Sequence, residues 1–226
     1  MKRLMINLVA SVAAITAIPA HAATLVPGQT NGTFDPFVQA TQGLVLATTS
    51  VPGTAFTFAA IMRSAVYRNI AGTLDFYYQV ARTGPGSLGQ DSEIKAFTAA
   101  NFAGFNVDAF FSASDVDGGG FFTVANNPGV FTTTAQRTAD GETLRTVFNA
   151  NGLVGTETSA TYIFRTNATA FTRGTFGVID GSTFSGIAFA PTSAVPEPAT
   201  WGLMLVGFGI VGSTLRRRRS QAAYAI

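Results

Sequence analysis

The chain has 226 residues, with 14 basic and 12 acidic side chains, no cysteine and one histidine. His21 lies in an N-terminal segment that we expect to be removed, so the mature protein would have neither imidazole nor thiol. This composition excludes disulfides, His- or Cys-ligated metal sites and catalysis by Ser-His or Cys-His pairs.

Residues 1–22 have the pattern of a secretory signal peptide. Lys2 and Arg3 form a positive n-region, Leu4–Ile18 an apolar h-region, and Ala20-His21-Ala22 a small-x-small cleavage site. The h-region of about 15 residues is short for a membrane span, which needs ~20. We therefore expect signal peptidase to cut after Ala22, so that the exported chain begins at Ala23.

The exported part is acidic once the two ends are set aside. Lys2, Arg3 and Arg216–Arg219 account for six of the 14 basic residues, which leaves eight basic and twelve acidic residues between Ala23 and Leu215, a net charge of −4. A nucleic-acid partner, which would require clustered Lys and Arg, is not expected.

Residues 23–190 predict an all-β domain, because short apolar runs alternate with Gly, Asn, Asp and Pro. In Gly72–Val80 the residues Leu74, Phe76 and Tyr78 alternate with polar neighbours, as in a strand with one buried face. Weaker candidates are Leu44–Thr49, Phe56–Phe58, Phe102–Ser112, Phe121–Ala125, Val130–Ala135, Leu144–Phe148, Ala160–Arg165, Thr175–Ile179 and Phe184–Phe189. About ten strands at this spacing predict a two-sheet β-sandwich, jelly-roll-like.

The connections carry turn residues, including Asp140-Gly141 and Asp180-Gly181. One helix is predicted between Asp91 and Asn101, where Asp91 or Ser92 is a candidate N-cap. The stretch Lys95–Thr98 also fits a strand, so the alternative stays open.

Asp115 and Asp117 are followed by three glycines, which resembles the opening of a calcium loop. Gly120 falls where the EF-hand pattern needs its sharp turn. Position twelve, however, is Asn126 rather than Glu. A strand-connecting turn is the preferred interpretation, and calcium ligation by Asp115 and Asp117 is the alternative.

Hydrolytic chemistry would require two carboxylates across a sugar, and the sequence alone cannot pair them. The candidates are Asp75, Asp91, Glu93, Asp108, Asp140, Glu142, Glu157 and Asp180. A Ser-Lys dyad would have to use Lys95, and nothing around Lys95 indicates that role. We predict no catalytic residues and no resident cofactor.

Tyr77 would lie on the opposite strand face from Phe76 and Tyr78. An exposed Tyr77 would offer a ring for stacking on sugars. The preferred interpretation is a second buried face of the sheet.

After the domain, residues 191–200 (PTSAVPEPAT) predict an extended linker, and residues 201–215 contain no charge. As a helix these fifteen residues would measure about 22 Å, against the ~30 Å of a bilayer core. Bilayer thinning, interfacial Trp201 and snorkelling Arg216 would make up the difference. We predict a transmembrane helix over 201–215 and a basic cytoplasmic tail over 216–226, because arginines stay on the cytoplasmic side.

Residues 207–212 also match G-x-G-x-x-G, the dinucleotide-binding pattern. That pattern has meaning only after a strand in a βαβ unit with an acidic residue about 20 positions later. Here the chain ends first, so we reject this interpretation, and we reject a core helix of the domain because it would not explain the flanking prolines and arginines.

Sorting-signal elements occur in a fixed order near the end of the chain. They are Pro196-Glu197-Pro198, Trp201, an apolar glycine-containing segment and the four arginines Arg216, Arg217, Arg218 and Arg219. Together they resemble the PEP-CTERM sorting signal of Gram-negative bacteria, in its PEPxxW variant. Gly202 stands where that variant usually has Ala. The prolines restrict Val195 and Glu197 to extended conformations, which suits a processing site.

The resemblance implies that exosortase, a membrane-embedded transpeptidase, processes the protein near Pro196–Pro198 and that the body reaches the cell surface or extracellular matrix. Family members are associated with exopolysaccharide and biofilm. The leading hypothesis is a non-enzymatic surface or matrix protein. The alternatives are a secreted carbohydrate-active enzyme with the same sorting tail, and a membrane-anchored protein that is never cleaved.

Overall fold

The computed structural model describes residues 23–126, 133–148, 151–193 and 202–211. Its strands are β1 (Ala23–Thr24), β2 (Asp35–Pro36), β3 (Leu44–Thr54), β4 (Phe58–Arg68), β5 (Leu74–Pro85), β6 (Ala96–Ala99), β7 (Val107–Ser112), β8 (Thr134–Arg137), β9 (Leu144–Val147), β10 (Thr161–Thr166), β11 (Ala170–Asp180) and β12 (Ser182–Thr192). A 3₁₀ turn covers Gln39–Thr41, and residues 202–211 form a helix, α1.

The strands form two sheets, so the prediction of an all-β sandwich is confirmed. The first sheet has the order β1-β7-β10-β5-β4-β3, with β2 pairing parallel to β7, and the second has the order β12-β11-β6-β9-β8. The jelly-roll detail is not confirmed. A jelly roll arranges eight strands as two Greek keys, whereas here short turns keep β3, β4 and β5 as sequential neighbours in one sheet.

The helix predicted between Asp91 and Asn101 is wrong, and the strand alternative is correct. Ala96–Ala99 forms β6, which pairs with β9 on one side and with β11 on the other. Central strand pairing satisfies the backbone groups and buries Phe97, and these tertiary gains exceed a weak local helix preference.

The main core lies between the sheets and is rich in aromatic side chains. Phe97 lies 5.1 Å from Phe176 and 5.5 Å from Tyr162, measured between ring centroids. Tyr78 reaches Phe176 at 5.2 Å, and all four of these side chains are fully buried. Aromatic pairs at such separations stabilise beyond their area burial by about 0.5–1.5 kcal/mol each.

A second apolar cluster covers the outer face of the first sheet. It contains Ala65, Tyr67, Tyr77, Phe110, Val116, Phe122 and Ile163. Two loops cover this face, 37–43 and 113–123, and they are joined by a 2.7 Å hydrogen bond from the Gln39 side-chain amide to the Val116 carbonyl. The first sheet is therefore buried on both faces near its centre, which confirms the preferred interpretation of Tyr77.

The sheets come close where their edge strands β3 and β12 cross. A Cβ atom on Gly53 would lie 1.8 Å from the Phe184 ring, and one on Gly186 would lie 2.5 Å from the Met62 methyl group. Neither position has space for a side chain, so these two glycines permit the crossing of β12 over β3 and β4.

Alkaline titration tests the burial of the tyrosines. Burial, with smaller contributions from Asp117 and Asp115, raises the pKa of Tyr67 to about 12. Burial also raises the pKa values of Tyr77, Tyr78 and Tyr162 well above their ordinary range. Because the folded state favours the neutral phenols, their stabilisation is complete below pH ~10 and is lost as the pH rises above it.

We expect tyrosinate absorbance from these four side chains to appear together with the loss of the β-type circular dichroism signal. The same titration in denaturant, where all phenols should ionise near pH ~10, is the control. Reversible ionisation of all four near that pH in the folded protein would contradict the structure.

Candidate functional site

The first residue of β1, Ala23, is the predicted mature N-terminus. Ala23 pairs with Ala109 at the edge of the first sheet, and the Thr24 hydroxyl donates a 2.7 Å hydrogen bond to Asp108. Ala20 and Ala22, the other predicted cleavage residues, lie outside the described residues. Cleavage after Ala22 stays a prediction, and it is compatible with the use of Ala23 as a strand residue.

The body ends slightly later than predicted. β12 includes Pro191 and Thr192, which were assigned to the linker, because they pair with Phe171 and Ala170 of β11. The residues of the predicted sorting signal all lie outside the described residues, so their assignment is not tested by the coordinates of the body. They are Pro196, Glu197, Pro198, Trp201, Arg216, Arg217, Arg218 and Arg219.

The helix α1 covers residues 202–211 and is apolar on all sides. Its large side chains are exposed, for example Leu203 at 73% and Phe208 at 67%. In the described residues there is no helix with the length and hydrophobicity needed to cross a membrane. The predicted transmembrane helix over 201–215 is therefore not confirmed, and residues 201 and 212–215 lie outside the described residues. A helical backbone at 207–211 also differs from the loop that G-x-G-x-x-G requires.

The Asp115–Gly120 loop uses its carboxylates to hold its own backbone. Asp115 Oδ1 accepts hydrogen bonds from the backbone N–H groups of Asp117 and Gly118, both at 3.1 Å. The two oxygens of Asp117 accept from the N–H groups of Phe121 and Phe122, both at 3.2 Å. These hydrogen bonds anchor Phe122 in the outer cluster, so the loop acts as a structural turn.

The two carboxyl groups also interact with each other. The hydrogen bond with Asp117 lowers the pKa of Asp115, while burial first and this hydrogen bond second raise the pKa of Asp117. In the described part of the chain no group of three or more His, Cys, Asp or Glu side chains is arranged to hold a metal. Calcium binding stays a prediction.

Most of the candidate catalytic carboxylates serve as structural acceptors. Asp75 is fully buried and pairs with Arg165, with 2.8 Å between Oδ2 and Nη2. The others pair as follows: Asp91 with Arg82, Glu93 with Lys95, Asp108 with Thr24, Asp140 with Thr138, Glu142 with the Asn101 N–H group, and Glu157 with the Val154 N–H group. Lys95, the candidate for a Ser-Lys dyad, is thus used in an ion pair.

Asp180 differs from the other carboxylates. Burial raises the pKa of Asp180, the negative charge of Glu93 adds to this rise, and Lys95 opposes it. Asp180 precedes Gly181, which helps to line a cavity of about 270 Å³. The same cavity is lined by the Phe56 ring, which is 63% exposed, and by the hydroxyl-bearing residues Thr54, Ser87, Ser182 and Thr183. An exposed ring beside hydroxyl groups has the chemistry of a sugar-contacting surface.

Sequence reasoning did not single out two buried arginines. Arg82 donates to the backbone carbonyls of Ser92 and Gly155 and to the Asp91 carboxylate. Arg137 donates to four backbone carbonyls, those of Leu25, Phe102, Phe105 and Gly141, at 2.8–3.1 Å. Their position beside buried apolar residues was the available signal: Arg82 follows Val80-Ala81 directly.

The loop is tested by replacing Asp117 with alanine. We expect Asp117→Ala to reduce the free energy of unfolding by about 1–3 kcal/mol in chelator, because the N–H groups of Phe121 and Phe122 lose their acceptor. Asp140→Ala is the control, because it removes a carboxylate that accepts hydrogen bonds in an exposed turn, where water can replace the lost acceptor and the cost should be smaller. Thermal unfolding with and without calcium separates the alternatives: a calcium site would stabilise the wild type only when calcium is present and would be lost in Asp117→Ala.

Comparison with known proteins identifies the tail and not the body. A family model described as the PEP-CTERM protein-sorting motif matches residues 194–219. No curated protein and no solved structure matches the chain. The matched segment begins before the Pro196-Glu197-Pro198 tripeptide, contains Trp201 and extends through the arginines to Arg219. The chain therefore carries a PEP-CTERM protein-sorting motif at its C-terminal end.

Proposed function

We propose that this chain is an exported surface or extracellular-matrix protein, that exosortase processes it through its sorting motif, and that its body is non-enzymatic and associated with exopolysaccharide or biofilm. In the precursor, residues 201–215 cross the inner membrane of a Gram-negative bacterium. The body then faces the periplasm, and residues 216–226 remain cytoplasmic.

The observation that carries the proposal is the match of the sorting motif at residues 194–219, directly after the folded body. β12 ends at Thr192, so the prolines of the motif follow the last strand within a few residues. Pro cannot donate to a sheet ladder and restricts the residue before it to extended conformations. Protease clefts bind extended backbone, so a segment restricted by these prolines is a suitable substrate.

The non-enzymatic part of the proposal is supported by the use of the acidic side chains. Seven of the eight candidate carboxylates form an ion pair or accept a hydrogen bond within the fold. A catalytic pair requires carboxylates directed towards a substrate. Carboxylates that hold turns and buried arginines have a structural task instead.

Mass spectrometry of the mature C-terminus tests the processing step, on protein recovered from the native host's envelope and medium. We expect a chain that ends near Pro196–Pro198. Glu197→Ala changes the motif itself, and we expect it to accumulate at full length. Glu142→Ala removes the same charge from the body and should be processed like the wild type. A wild-type chain that still contains Trp201–Arg219 would make the tail a permanent anchor.

One observation favours the second candidate, a secreted carbohydrate-active enzyme. Asp180 has a raised pKa and Glu93 lies close enough to influence it, next to a cavity with an exposed aromatic ring. Glycoside hydrolysis uses two carboxyl groups whose pKa values differ, and here burial raises the pKa of Asp180 while the hydrogen bond with Lys95 lowers that of Glu93.

Release of reducing ends from the host's exopolysaccharide distinguishes the two candidates. For the proposed matrix protein we expect no release by the wild-type body, whether or not it binds the polymer. If the wild type does release reducing ends, while Asp180→Asn and Glu93→Gln lose this activity and Glu142→Gln keeps it, the enzyme candidate is correct.

A further inference from the structure

One end of the sandwich exposes a group of large apolar side chains. Leu44, Val45 and Leu46 are 77%, 53% and 38% exposed, and Ile70 is 73% exposed. We name these four residues the exit patch. The hydrogen bond from the Ile70 N–H group to the Thr41 carbonyl, at 3.3 Å, holds the β4–β5 turn beside the loop that leads into β3.

The exposure of three consecutive strand residues has a structural cause. Successive strand residues normally point to opposite faces, so one of two neighbours is usually covered. Here the pairing of β3 with β4 shifts between Val45 and Ala47, a bulge that leaves Leu46 unpaired. β3 is also the edge strand of the first sheet, so no described strand covers its outer side.

The body ends at the same end of the sandwich. Thr192, the last residue of β12, pairs with Ala170, and the nearby Ala168 carbonyl accepts a 3.0 Å hydrogen bond from the Leu74 N–H group. Leu74 pairs with Arg68, which in turn pairs with Leu44. The chain therefore enters the sorting tail from the end of the sandwich that carries the exit patch.

Beside the exit patch, Asp75 is buried and paired with Arg165, whereas the exposed charges are positive. Arg68 is exposed opposite Leu44, and Arg173 lies in the groove between β3 and β12. Neither takes part in the three ion pairs of the described residues. Asp140 and Glu142, in the β8–β9 turn, lie at this same end of the sandwich but at the other edge of the second sheet. Asp108 in β7 also lies at this end, three strands away from β4 in the first sheet. Asp91, Glu93 and Asp180 lie at the opposite end of the sandwich, near the β11–β12 turn and the β5–β6 connection.

The tail keeps this end close to the membrane. Eight residues, 193–200, separate β12 from the predicted membrane segment, and a fully extended chain of that length reaches at most about 29 Å. An apolar surface flanked by arginines, tethered at this distance, matches the interface of an anionic bilayer, where apolar side chains enter the headgroup region and cations approach lipid phosphates.

We propose that the exit patch rests on the anionic lipid surface of the membrane that anchors the precursor, with Arg68 and Arg173 at its rim. This inference depends on the proposed membrane anchoring of the tail. The contact holds the β3–β4–β12 side of the body against the bilayer. Exosortase would then meet a linker of restricted orientation, and the opposite end, with Phe56, Asp91 and Asp180, faces away from the membrane.

The absence of cysteine allows a direct test with single labels. The chain from Ala23 to Ile226 is reconstituted in vesicles of phosphatidylethanolamine and phosphatidylglycerol, and an environment-sensitive fluorophore is attached to Val45→Cys, Ile70→Cys, Leu88→Cys or Val206→Cys. All four native side chains are exposed, so the labels need not disturb the core. Leu88 is the matched control, because it is an exposed apolar residue at the opposite end, hydrogen-bonded through its N–H group to the Phe56 carbonyl.

We expect nitroxide lipids labelled near the headgroup to quench the probes at 45 and 70 several-fold more than the probe at 88. We expect lipids labelled deep in the acyl chains to quench the probe at 206. In phosphatidylcholine vesicles the quenching at 45 and 70 should fall, because the arginines lose their anionic partners, while that at 206 should persist.

Each other outcome has a definite meaning. Quenching at 206 with equal or no quenching at 45, 70 and 88 overturns the lipid contact and leaves the anchored tail intact. Absence of quenching at 206 overturns the anchoring itself. Unquenched but blue-shifted probes at 45 and 70 would mean that protein covers the patch: a second copy if the shift rises with protein density, or the linker if it does not. Either result overturns the proposal.

Discussion

The crossing of β12 over β3, β4 and β5 determines much of the architecture. Gly53 and Gly186 remove the side chains that would separate the strands, and Phe184 fills the space over Gly53. Further along, both backbone groups of Phe189 bond to side chains of the first sheet: its N–H group donates to Ser64 Oγ at 3.4 Å, and its carbonyl accepts from the Tyr78 hydroxyl. At Phe189, the backbone groups of β12, the edge strand of the second sheet, are therefore hydrogen-bonded by side chains of the first sheet. This contact directs β12 to the end of the sandwich where the tail begins.

Buried arginines join distant segments of this chain. In many exported domains disulfides have that role, but this chain has no cysteine. Arg137 connects the N-terminal segment at Leu25 with the loop after β6 at Phe102 and Phe105 and with the β8–β9 turn at Gly141. Arg82 connects β5 with the segments around Ser92 and Gly155. The acceptors around each guanidinium offset the free-energy cost of burying it, because the N–H groups that contact them keep hydrogen-bond partners.

The sequence predicted best those features that depend on local patterns. Strand β5, the burial of Tyr77 and the turns at Asp140-Gly141 and Asp180-Gly181 follow from strand period and turn chemistry, as does the sorting motif from its linear order. The expectation of a single buried face for β5 is wrong, since Asp75 and Gln79 on its second face are fully buried as well. β4 was missed beyond Phe58, because residues 59–62 are all apolar and residues 64–67 are all buried, so the sequence shows no polar alternation there. Phe121–Ala125 was predicted as a strand and forms a loop, since Asp117 bonds the N–H groups of Phe121 and Phe122 in place of a neighbouring strand. The helix error at 91–101 and the roles of Arg82 and Arg137 depend on contacts distant in sequence, which no local pattern encodes.

The division of labour between tail and body has a physical basis. A sorting motif is read as extended backbone and a short series of side chains, so it needs no partner within the fold. The body's role, in contrast, depends on which surfaces the sandwich leaves exposed. One end carries Phe56, Leu88 and a hydroxyl-lined cavity, and the other end carries the exit patch and Arg68. Because the tail leaves from the second end, a tethered body presents the first end outwards. An anchored precursor and a released product would therefore expose different surfaces, and processing at the linker changes what the body can contact as well as where it is.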